Sequence, residues 1–464
     1  MSVKLFDSQS LELRAFEPIV PGTVSIYVCG PTVQSAPHVG HLRSALVYDL
    51  WSRWFSYRGY AVTLIRNVTD IDDKILEACH NSATQWWELA EAVQADFQDA
   101  ADALGIERPT AQPRATGHIP DMLELISTLL ASGHAYSADN GSGDVYFDVS
   151  QWPNYGELTH QKVEDLQQGS GDTGGKKNPE DFALWKGHKA GEPATASWSA
   201  PWGPGRPGWH LECTAMATRY VGSQFDIHGG GMDLRFPHHE NELAQARAAG
   251  HSYASHWLHN ALVTAKGQKM SKSLGNGVLA GELLEQARPL VVRYALASAH
   301  YRSELDLHEG FLTEAAAAFG RIEVFLARAT REFGEVEAGP VPVAFETAMD
   351  DDLGIPSALA VIHDAVRAGN QAADSEKDDV FRGAASEVRA MMAILGMDPL
   401  DPRWATGRSE DSVVASIVTN ILAARQEAKN DRRFDVADAL RDALDSAGID
   451  IHDGPNETTW SIRG

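Results

Sequence analysis

The apolar positions near the start of the chain switch from a strand-like repeat to a helix-like repeat and back again. Over residues 23–29 the apolar side chains alternate, which predicts a β-strand. From residue 41 to residue 57 they recur every three or four positions, which predicts a helix that ends before Gly59. Residues 61–68 predict a second strand. Strand, helix and strand in this order form a βαβ unit, so we expect a parallel sheet that binds ligands at the carboxyl ends of its strands.

The rest of the chain divides into an interrupted α/β part and a helical part. Helical patterns cover residues 75–104 and 120–132, the sheet resumes near residues 225–227, and a helix follows Pro237. Residues 156–189 contain a Gly/Ser/Asp-rich stretch and predict an insertion or a mobile loop. From residue 281 onward nearly everything is helical, with breaks at 334–342 and 399–407 and a final amphipathic pair at 412–429 and 434–447. We therefore expect an α/β fold: a Rossmann-like parallel-sheet domain with an insertion, then an α-helical bundle and a small C-terminal end.

Composition is ordinary for a globular protein but sets two limits on function. No apolar run approaches the roughly 18–20 residues that a membrane span needs, and the first residues do not resemble a signal peptide, so we expect a cytoplasmic protein. The three cysteines make a poor disulfide framework. A net charge of −25 argues against a general nucleic-acid binder, unless basic residues gather locally on an acidic surface.

Two short motifs far apart in the sequence suggest a nucleotide site. Residues 38–41 read HVGH and lie where the first strand turns into the helix, so backbone N–H groups and the helix dipole there favour phosphate. Gly40 lets a nucleotide approach, while His38 and His41 can donate hydrogen bonds to charge that develops on a phosphate. Residues 269–273 read KMSKS, and Lys269 and Lys272 can close over a triphosphate. Each motif alone also fits ordinary surface histidines or a solvated lysine run.

A second constellation has the composition of a zinc site. Cys29 ends the first strand, Cys213 lies in a GWHLEC run, and His238 and Glu242 are four residues apart and share a helix face. Two thiolates, an imidazole and a carboxylate are a suitable set of four ligands for Zn²⁺. Two alternatives stay open at this point: Cys213 is a core residue, or His239 faces inward in place of His238.

Six strings in order make the chain resemble the cysteinyl-tRNA synthetases, a family of class I aminoacyl-tRNA synthetases. They are CGPTV leading to HVGH, NVTDIDDK at 67–74, residues 201–213, HGGGMDL at 228–234, residues 236–242 and residues 269–276. Val39 stands where the family motif HIGH has isoleucine, and Gln34-Ser35 depart from the family's usual residues beside the ATP pocket. The resemblance implies the following roles: zinc ligands Cys29, Cys213, His238 and Glu242; cysteine-binding residues Thr69 and Trp209; ATP-binding residues His38, Gly40, His41, Gly230, Asp233, Lys269 and Lys272; and catalytic residues His38, His41, Lys269 and Lys272.

The resemblance also implies a reaction, its partners and a domain plan. The enzyme would activate L-cysteine with ATP and Mg²⁺, then transfer it to the terminal adenosine of tRNA(Cys), as a monomer with one Zn²⁺ per chain. Because a thiolate is a softer ligand than a hydroxyl, zinc would separate cysteine from serine. The expected domains are a catalytic domain at 1–280 with a connective insertion at 110–200, a stem-contact region and helical bundle at 281–400, and an anticodon-binding end at 401–464.

Three alternatives compete with this interpretation. The cysteine ligase of mycothiol biosynthesis would share the same adenylate chemistry, but it does not need the C-terminal helices. Those helices carry a local set of cations: Arg425, Lys429, Arg432, Arg433 and Arg441. A catalytically silent RNA-binding paralogue would not need both motif histidines and both lysines. A zinc hydrolase would need a base that the sequence does not offer, since no HExxH pattern is present.

Overall fold

The computed structural model describes residues 2–80, 82–161, 174–265, 267–269, 277–407, 410–453 and 458–462. The chain divides into two compact units, Met1–Pro399 and Leu400–Gly464. No helix within the described ranges is both long enough and apolar enough to cross a membrane.

The first unit alternates strands and helices up to residue 306 and is almost entirely helical afterwards. Its strands are β1 (Lys4–Asp7), β2 (Glu12–Ala15), β3 (Thr23–Val28), β4 (Ala61–Arg66), β5 (Ala135–Ser137), β6 (Val145–Phe147), β7 (Phe182–Gly187), β8 (Gly205–Pro207), β9 (Gln224–Gly231), β10 (Tyr253–Asn260), β11 (Val263–Ala265), β12 (Gln268–Lys269) and β13 (Leu305–Asp306). Its α-helices are α1 (Val39–Tyr57), α2 (Asp73–Cys79), α3 (Trp86–Ala103), α4 (Ile119–Ala131), α5 (Trp209–Val221), α6 (Glu240–Ala248), α7 (Ala280–Gln286), α8 (Pro289–Ala297), α9 (Phe311–Phe333), α10 (Val343–Asp350), α11 (Ile355–Asp374) and α12 (Asp378–Ile394).

The centre of the first unit is a four-stranded parallel sheet in the order β10-β9-β3-β4. Ile26 on β3 lies between Leu64 on β4 and Ile227 on β9, and all three are buried. The predicted βαβ unit is confirmed as β3, α1 and β4, and the predicted fold class is confirmed. Because all four strands run in the same direction, their carboxyl ends meet along one edge, where such sheets bind ligands.

The strands between β4 and β9 in the sequence form a second, antiparallel sheet. Its order is β5-β6-β7-β8, and its inner face buries Phe147, Leu184 and Trp185. The interpretation of residues 156–189 as a loop is wrong where β7 runs, although residues 162–173 lie outside the described part. The helical patterns predicted over 75–104 correspond to two helices, α2 and α3. The chain leaves helical geometry after Cys79, and α3 begins after Gln85, whose amide N–H donates to Glu88 at 2.8 Å.

The second unit consists of α13 (Glu410–Asn430), α14 (Phe434–Ser446) and a hairpin of β14 (Ile449–Asp453) and β15 (Thr458–Ile462). Its small core contains Val418, Leu444 and Ile449, with Trp460 packed against them. The helical pair was predicted from its apolar faces, whereas the hairpin was not. Arg425 is buried, so one of the five cations expected on the surface is a core residue; Arg432, Arg433 and Arg441 are exposed.

Candidate active site and metal centre

A cleft of about 300 Å³ lies where the four parallel strands end. Each strand contributes residues at or just beyond its last position, namely Val28 and Cys29, Arg66, Gly231, and Asn260. The predicted residues His38, Gly40, His41, Trp209 and Asp233 also line it. The motifs that are far apart in sequence therefore meet in one cleft at the edge predicted for ligands.

The HVGH motif forms the N-terminus of α1 and supplies its own cap. His38 is the N-cap residue, and its amide N–H donates to Nδ1 of His41 at 3.3 Å. The two imidazoles stack with centroids 3.7 Å apart. A Cβ at Gly40 would lie 2.9 Å from Cε1 of His38, so the glycine is needed for the position of His38 itself. The first turn of α1 thus presents two stacked imidazoles to the cleft.

The other predicted nucleotide-binding residues differ in how the structure places them. Asp233 is exposed at the rim of the cleft, beside Gly231. Gly230 lies behind the rim, where a Cβ would come within 2.8 Å of the His239 ring. Lys269 ends β12, which pairs with β11 next to the cleft. Lys272 lies outside the described residues.

The four predicted zinc ligands form one buried cluster. One ligand atom from each of Cys29, Cys213, His238 and Glu242 lies within 4.8 Å of all the others. Sγ of Cys29 donates to Oε1 of Glu242 at 3.2 Å, and Nε2 of His238 lies 3.1 Å from the same oxygen. Cys213 is buried, as the alternative of a core residue held. Its sulfur nevertheless lies within the ligand cluster.

His239 and His228 form a second group with Cys29 and Glu242 that meets the same distance limit. Nε2 of His239 lies 4.0 Å from Oε1 of Glu242, and Nε2 of His228 lies 2.9 Å from Oε2. Both His238 and His239 therefore face Glu242, whereas the open alternative had His239 facing inward in place of His238. Glu240 does point away, because its carboxylate accepts hydrogen bonds from the amides of residues 156, 158 and 159.

The electrostatics of the cluster suit a divalent cation. Burial raises the pKa of the Cys29 and Cys213 thiols, and burial lowers the pKa of His238 to about 3, so the imidazole is neutral. Burial alone would raise the pKa of Glu242, but its interactions with the neighbouring His228 and His238 imidazoles and the hydrogen bonds that its carboxylate accepts lower it. Neutral imidazole and carboxylate are already in the form that binds metal, and a bound cation is what deprotonates coordinating thiols in proteins.

The two residues predicted to bind cysteine differ in exposure. Trp209 lies half-buried at the start of α5, lines the cleft and stacks on His238 with centroids 4.1 Å apart. Thr69 is buried, and its hydroxyl accepts a hydrogen bond from Asn67 at 3.3 Å. Thr69 does not line the cleft, a position that also fits a packing role.

The sequence patterns did not single out four residues that the structure places at the site. His228 and Tyr253 both donate to Oε2 of Glu242 at 2.9 Å and hold the carboxylate from behind. Tyr48 contacts the backbone at the end of β9, and Arg66 lines the cleft. His228 and Arg66 share one available signal, since each lies at the carboxyl end of a predicted parallel strand.

Comparison with known proteins assigns the family. The model described as tRNA synthetases class I (C) catalytic domain matches residues 15–317, the DALR domain matches 344–399, and the cysteinyl-tRNA ligase anticodon binding domain matches 414–460. The last two matches do not favour the mycothiol alternative. Curated cysteine–tRNA ligases of Clavibacter sepedonicus and Leifsonia xyli subsp. xyli are each 53% identical over 100% of both chains.

The fold is shared more widely. A methionyl-tRNA synthetase of Mycobacterium tuberculosis, solved with methionyl-adenylate, aligns with a TM-score of 0.59 at 16% identity over 82% of this chain and 90% of its own. At that identity the likeness concerns the fold alone. The family itself is shown by the three family models, which match along the length of the chain, and by full-length relatives at 53% identity. This chain therefore belongs to the cysteinyl-tRNA ligases, a family built on the class I aminoacyl-tRNA synthetase fold.

Proposed function

We propose that this chain activates L-cysteine with ATP and transfers the cysteinyl group to the 3′-terminal adenosine of tRNA(Cys). The single observation that carries the proposal is the buried two-sulfur cluster beside the HVGH cleft, in a chain of this family. A thiol-binding group next to a nucleotide-binding helix N-terminus is what an enzyme that joins cysteine to adenylate requires.

In the first step the cysteine carboxylate attacks the α-phosphorus of ATP, and pyrophosphate leaves. His38 and His41, at the N-terminus of α1, would donate hydrogen bonds to the phosphate oxygens as charge develops on them. Gly230 and Asp233 would hold the adenosine, and Lys269 and Lys272 would hold the departing phosphates together with Mg²⁺. No covalent enzyme intermediate is needed, so positioning and charge stabilisation would supply the rate.

We assign Zn²⁺ to Cys29, Cys213, His238 and Glu242. The donor set fits: two sulfurs, one imidazole nitrogen and one carboxylate oxygen converge in a buried site. When bound there, zinc would supply a Lewis acid that prefers the thiolate of cysteine to the hydroxyl of serine. Trp209, which stacks on His238 and lines the cleft, and Thr69 would hold the rest of the amino acid.

Two observations favour His238 over the alternative set with His228 and His239. His228 and Tyr253 already bind the outer oxygen of Glu242, and His239 makes a 2.8 Å contact with His259. His238 lies under Trp209 on the side of the cleft, whereas His228 stacks on the buried Trp257 with centroids 4.5 Å apart. His228 and Tyr253 are thus suited to orient the carboxylate ligand.

The division of labour along the chain is part of the proposal. Residues 1–280 would form the catalytic domain with its insertion at 110–200, residues 281–400 the stem-contact region and helical bundle, and residues 401–464 the anticodon-binding end. The limits of the two compact units, at Pro399 and Leu400, and the family match at 414–460 support the last boundary. A monomer and a cytoplasmic location stay predictions.

Two linked assays test the proposal. ATP–pyrophosphate exchange should depend on L-cysteine and should show far weaker activity with L-serine. Purified tRNA(Cys) should then accept radiolabelled cysteine. Exchange without charging would contradict the transfer step, and serine supporting exchange as well as cysteine would contradict the zinc assignment.

A further inference from the structure

Arg66 is a buried guanidinium at the edge of the cleft whose hydrogen-bonding capacity is largely unused. It ends β4, is only 4% exposed, and lines the cleft together with His38 and His41. No described residue accepts a hydrogen bond from its Nε or Nη2. Leaving buried donors of a charged group without acceptors is costly, and native proteins rarely do so.

Other buried arginines of the first unit have acceptors in the fold. Arg43 donates to four backbone carbonyls, those of residues 261, 262, 300 and 303. Arg293 donates to Asp49 at 2.6 Å and to the carbonyls of residues 104 and 395. Arg206 forms ion pairs with Asp73 and Glu192. These three arginines stabilise the fold through hydrogen bonds and ion pairs, whereas Nε and Nη2 of Arg66 have no such partner among the described residues.

Arg66 stays positively charged, but the nearby carboxylates form their ion pairs with other residues. Burial lowers its pKa to about 10, so the guanidinium is still a cation at neutral pH. The two carboxylates that favour its charge are committed elsewhere, since Asp49 pairs with Arg53 and Arg293, and Asp102 pairs with Arg108. The ring of Phe97 covers one side of the guanidinium at 5.1 Å. The ring of Phe97 thus covers one face of the Arg66 guanidinium, and the N–H donors in the guanidinium plane are available to a ligand.

We propose that Arg66 binds a phosphate group of a substrate in this cleft. A planar fork of N–H donors matches phosphate oxygens, and phosphate is the anion that the neighbouring helix N-terminus also favours. The inference rests on the proposed function, which supplies two phosphate sources: the triphosphate of ATP and the terminal phosphodiester of tRNA. Cysteine carries only a carboxylate, so its binding should depend much less on Arg66.

The test compares the Arg66→Met and Arg66→Lys variants with the wild-type full-length chain. If the phosphate belongs to ATP, Arg66→Met should raise the KM for ATP in pyrophosphate exchange by about 10- to 100-fold, with the KM for cysteine unchanged. If it belongs to tRNA, exchange should be normal, and single-turnover transfer from preformed adenylate should slow by a similar factor. Arg66→Lys keeps the charge without the fork and should fall between wild type and Arg66→Met.

A structural role would give a different result. Removal of an uncompensated buried charge should not lower the melting temperature of the chain without ligands, whereas the control Arg293→Lys should lower it and leave both KM values unchanged. A lower melting temperature for Arg66→Met with unchanged ATP affinity and transfer rate would overturn the proposal, as would equal increases in both KM values. Calorimetric binding of α,β-methylene-ATP separates the failure of this proposal from the failure of the proposed function. If the wild-type chain shows no cysteine-dependent exchange, the proposed function fails. The affinity of wild type and Arg66→Met for the analogue still tests whether Arg66 binds phosphate.

Discussion

At the N-terminus of α1, the absence of one methyl group sets the position of an imidazole. A Cβ at Gly40 would lie 2.9 Å from Cε1 and 3.0 Å from Nδ1 of His38. The ring would have to move away from its stack on His41, and a displacement of this size at a reacting group costs on the order of 10- to 100-fold in rate. Gly40 therefore has two roles: it allows the His38 ring to take its position, and it leaves room for the nucleotide.

We accordingly expect Gly40→Ala to reduce kcat for cysteine-dependent exchange by about 10- to 100-fold. Its free energy of unfolding should change by less than about 1 kcal/mol, because alanine favours the helix while the contact with His38 opposes it. Gly320→Ala in α9 is the matched control, since its Cβ would meet no atom within 4 Å. It should stabilise the protein by about 1 kcal/mol at unchanged activity. Full activity in Gly40→Ala would contradict the assigned role of His38.

Cys213 offers the most direct test of the metal centre. Cys213→Ser replaces a soft ligand with a hard, poorly acidic one, so the purified variant should contain less than one zinc per chain. Cysteine-dependent exchange should fall on the order of 100-fold. The control is Cys79→Ser, because Cys79 is partly exposed on α2 and lies outside the ligand cluster. Metal analysis that finds one zinc per chain in Cys213→Ser, with normal exchange, would refute the ligand assignment.

Sequence spacing predicted part of the cluster and could not predict the rest. His238 and Glu242 were found because a helix brings residues four apart together. Cys29 and Cys213 were paired by chemistry, and their proximity depends on the packing of α5 against the sheet. Tyr253 has no such signal: it reaches Glu242 from β10, and only the tertiary fold puts its hydroxyl 2.9 Å from the carboxylate.

At the scale of elements, Tyr48 joins α1 to two strands of the parallel sheet. Its hydroxyl accepts a hydrogen bond from the amide of Gly230 at 2.6 Å and donates to the carbonyl of Leu258 at 2.8 Å. Burial raises the pKa of Tyr48, so the hydroxyl stays protonated and can donate. The helix that carries His38 is thereby fixed to the strand end that carries the Gly229–Gly231 turn.

Tyr48→Phe should therefore lower the free energy of unfolding by about 1–3 kcal/mol, because a buried amide loses its acceptor. Urea unfolding measures this loss, and the KM for ATP should rise because both halves of the nucleotide site depend on the contact. Tyr57→Phe is the control on the same helix. Its hydroxyl contacts Glu346 on the surface, so the change should be within about 0.5 kcal/mol. Equal stability for the two variants would show that Tyr48 does not join these elements.

Periodicity predicted several long elements, but it missed the short strands and one long strand, β10. β3, α1 and β4 are long enough for their repeats of two and 3.6 residues to be read. β5, β6 and β8 have three residues each, too few for any repeat, and their pairing is set by the sheet. β10 was missed because three of its eight positions are histidine or asparagine, and burial among other polar residues makes them tolerable only in the folded molecule.

For the whole molecule, the net charge of −25 requires that tRNA binding be local. In the second unit, Arg432 and Arg433 are exposed just before α14, and the adjacent Phe434 is 60% exposed. Exposed cations beside an exposed aromatic ring suit single-stranded RNA, whose phosphates and bases are both accessible. The cleft and the buried cluster of candidate metal ligands, in contrast, lie entirely within the first unit.

A chain ending at Pro399 should consequently separate the two steps of the reaction. It retains every described cleft residue and the core around the cluster, so cysteine-dependent exchange should be unchanged. Charging of tRNA(Cys) should fall by at least about 100-fold, the equivalent of losing two charged contacts of about 1.5 kcal/mol each. The full-length double variant Arg432→Glu, Arg433→Glu controls for truncation, since it should raise the KM for tRNA and flatten its salt dependence without affecting exchange. Charging at the wild-type rate by the truncated chain would mean that tRNA binds through the first unit alone.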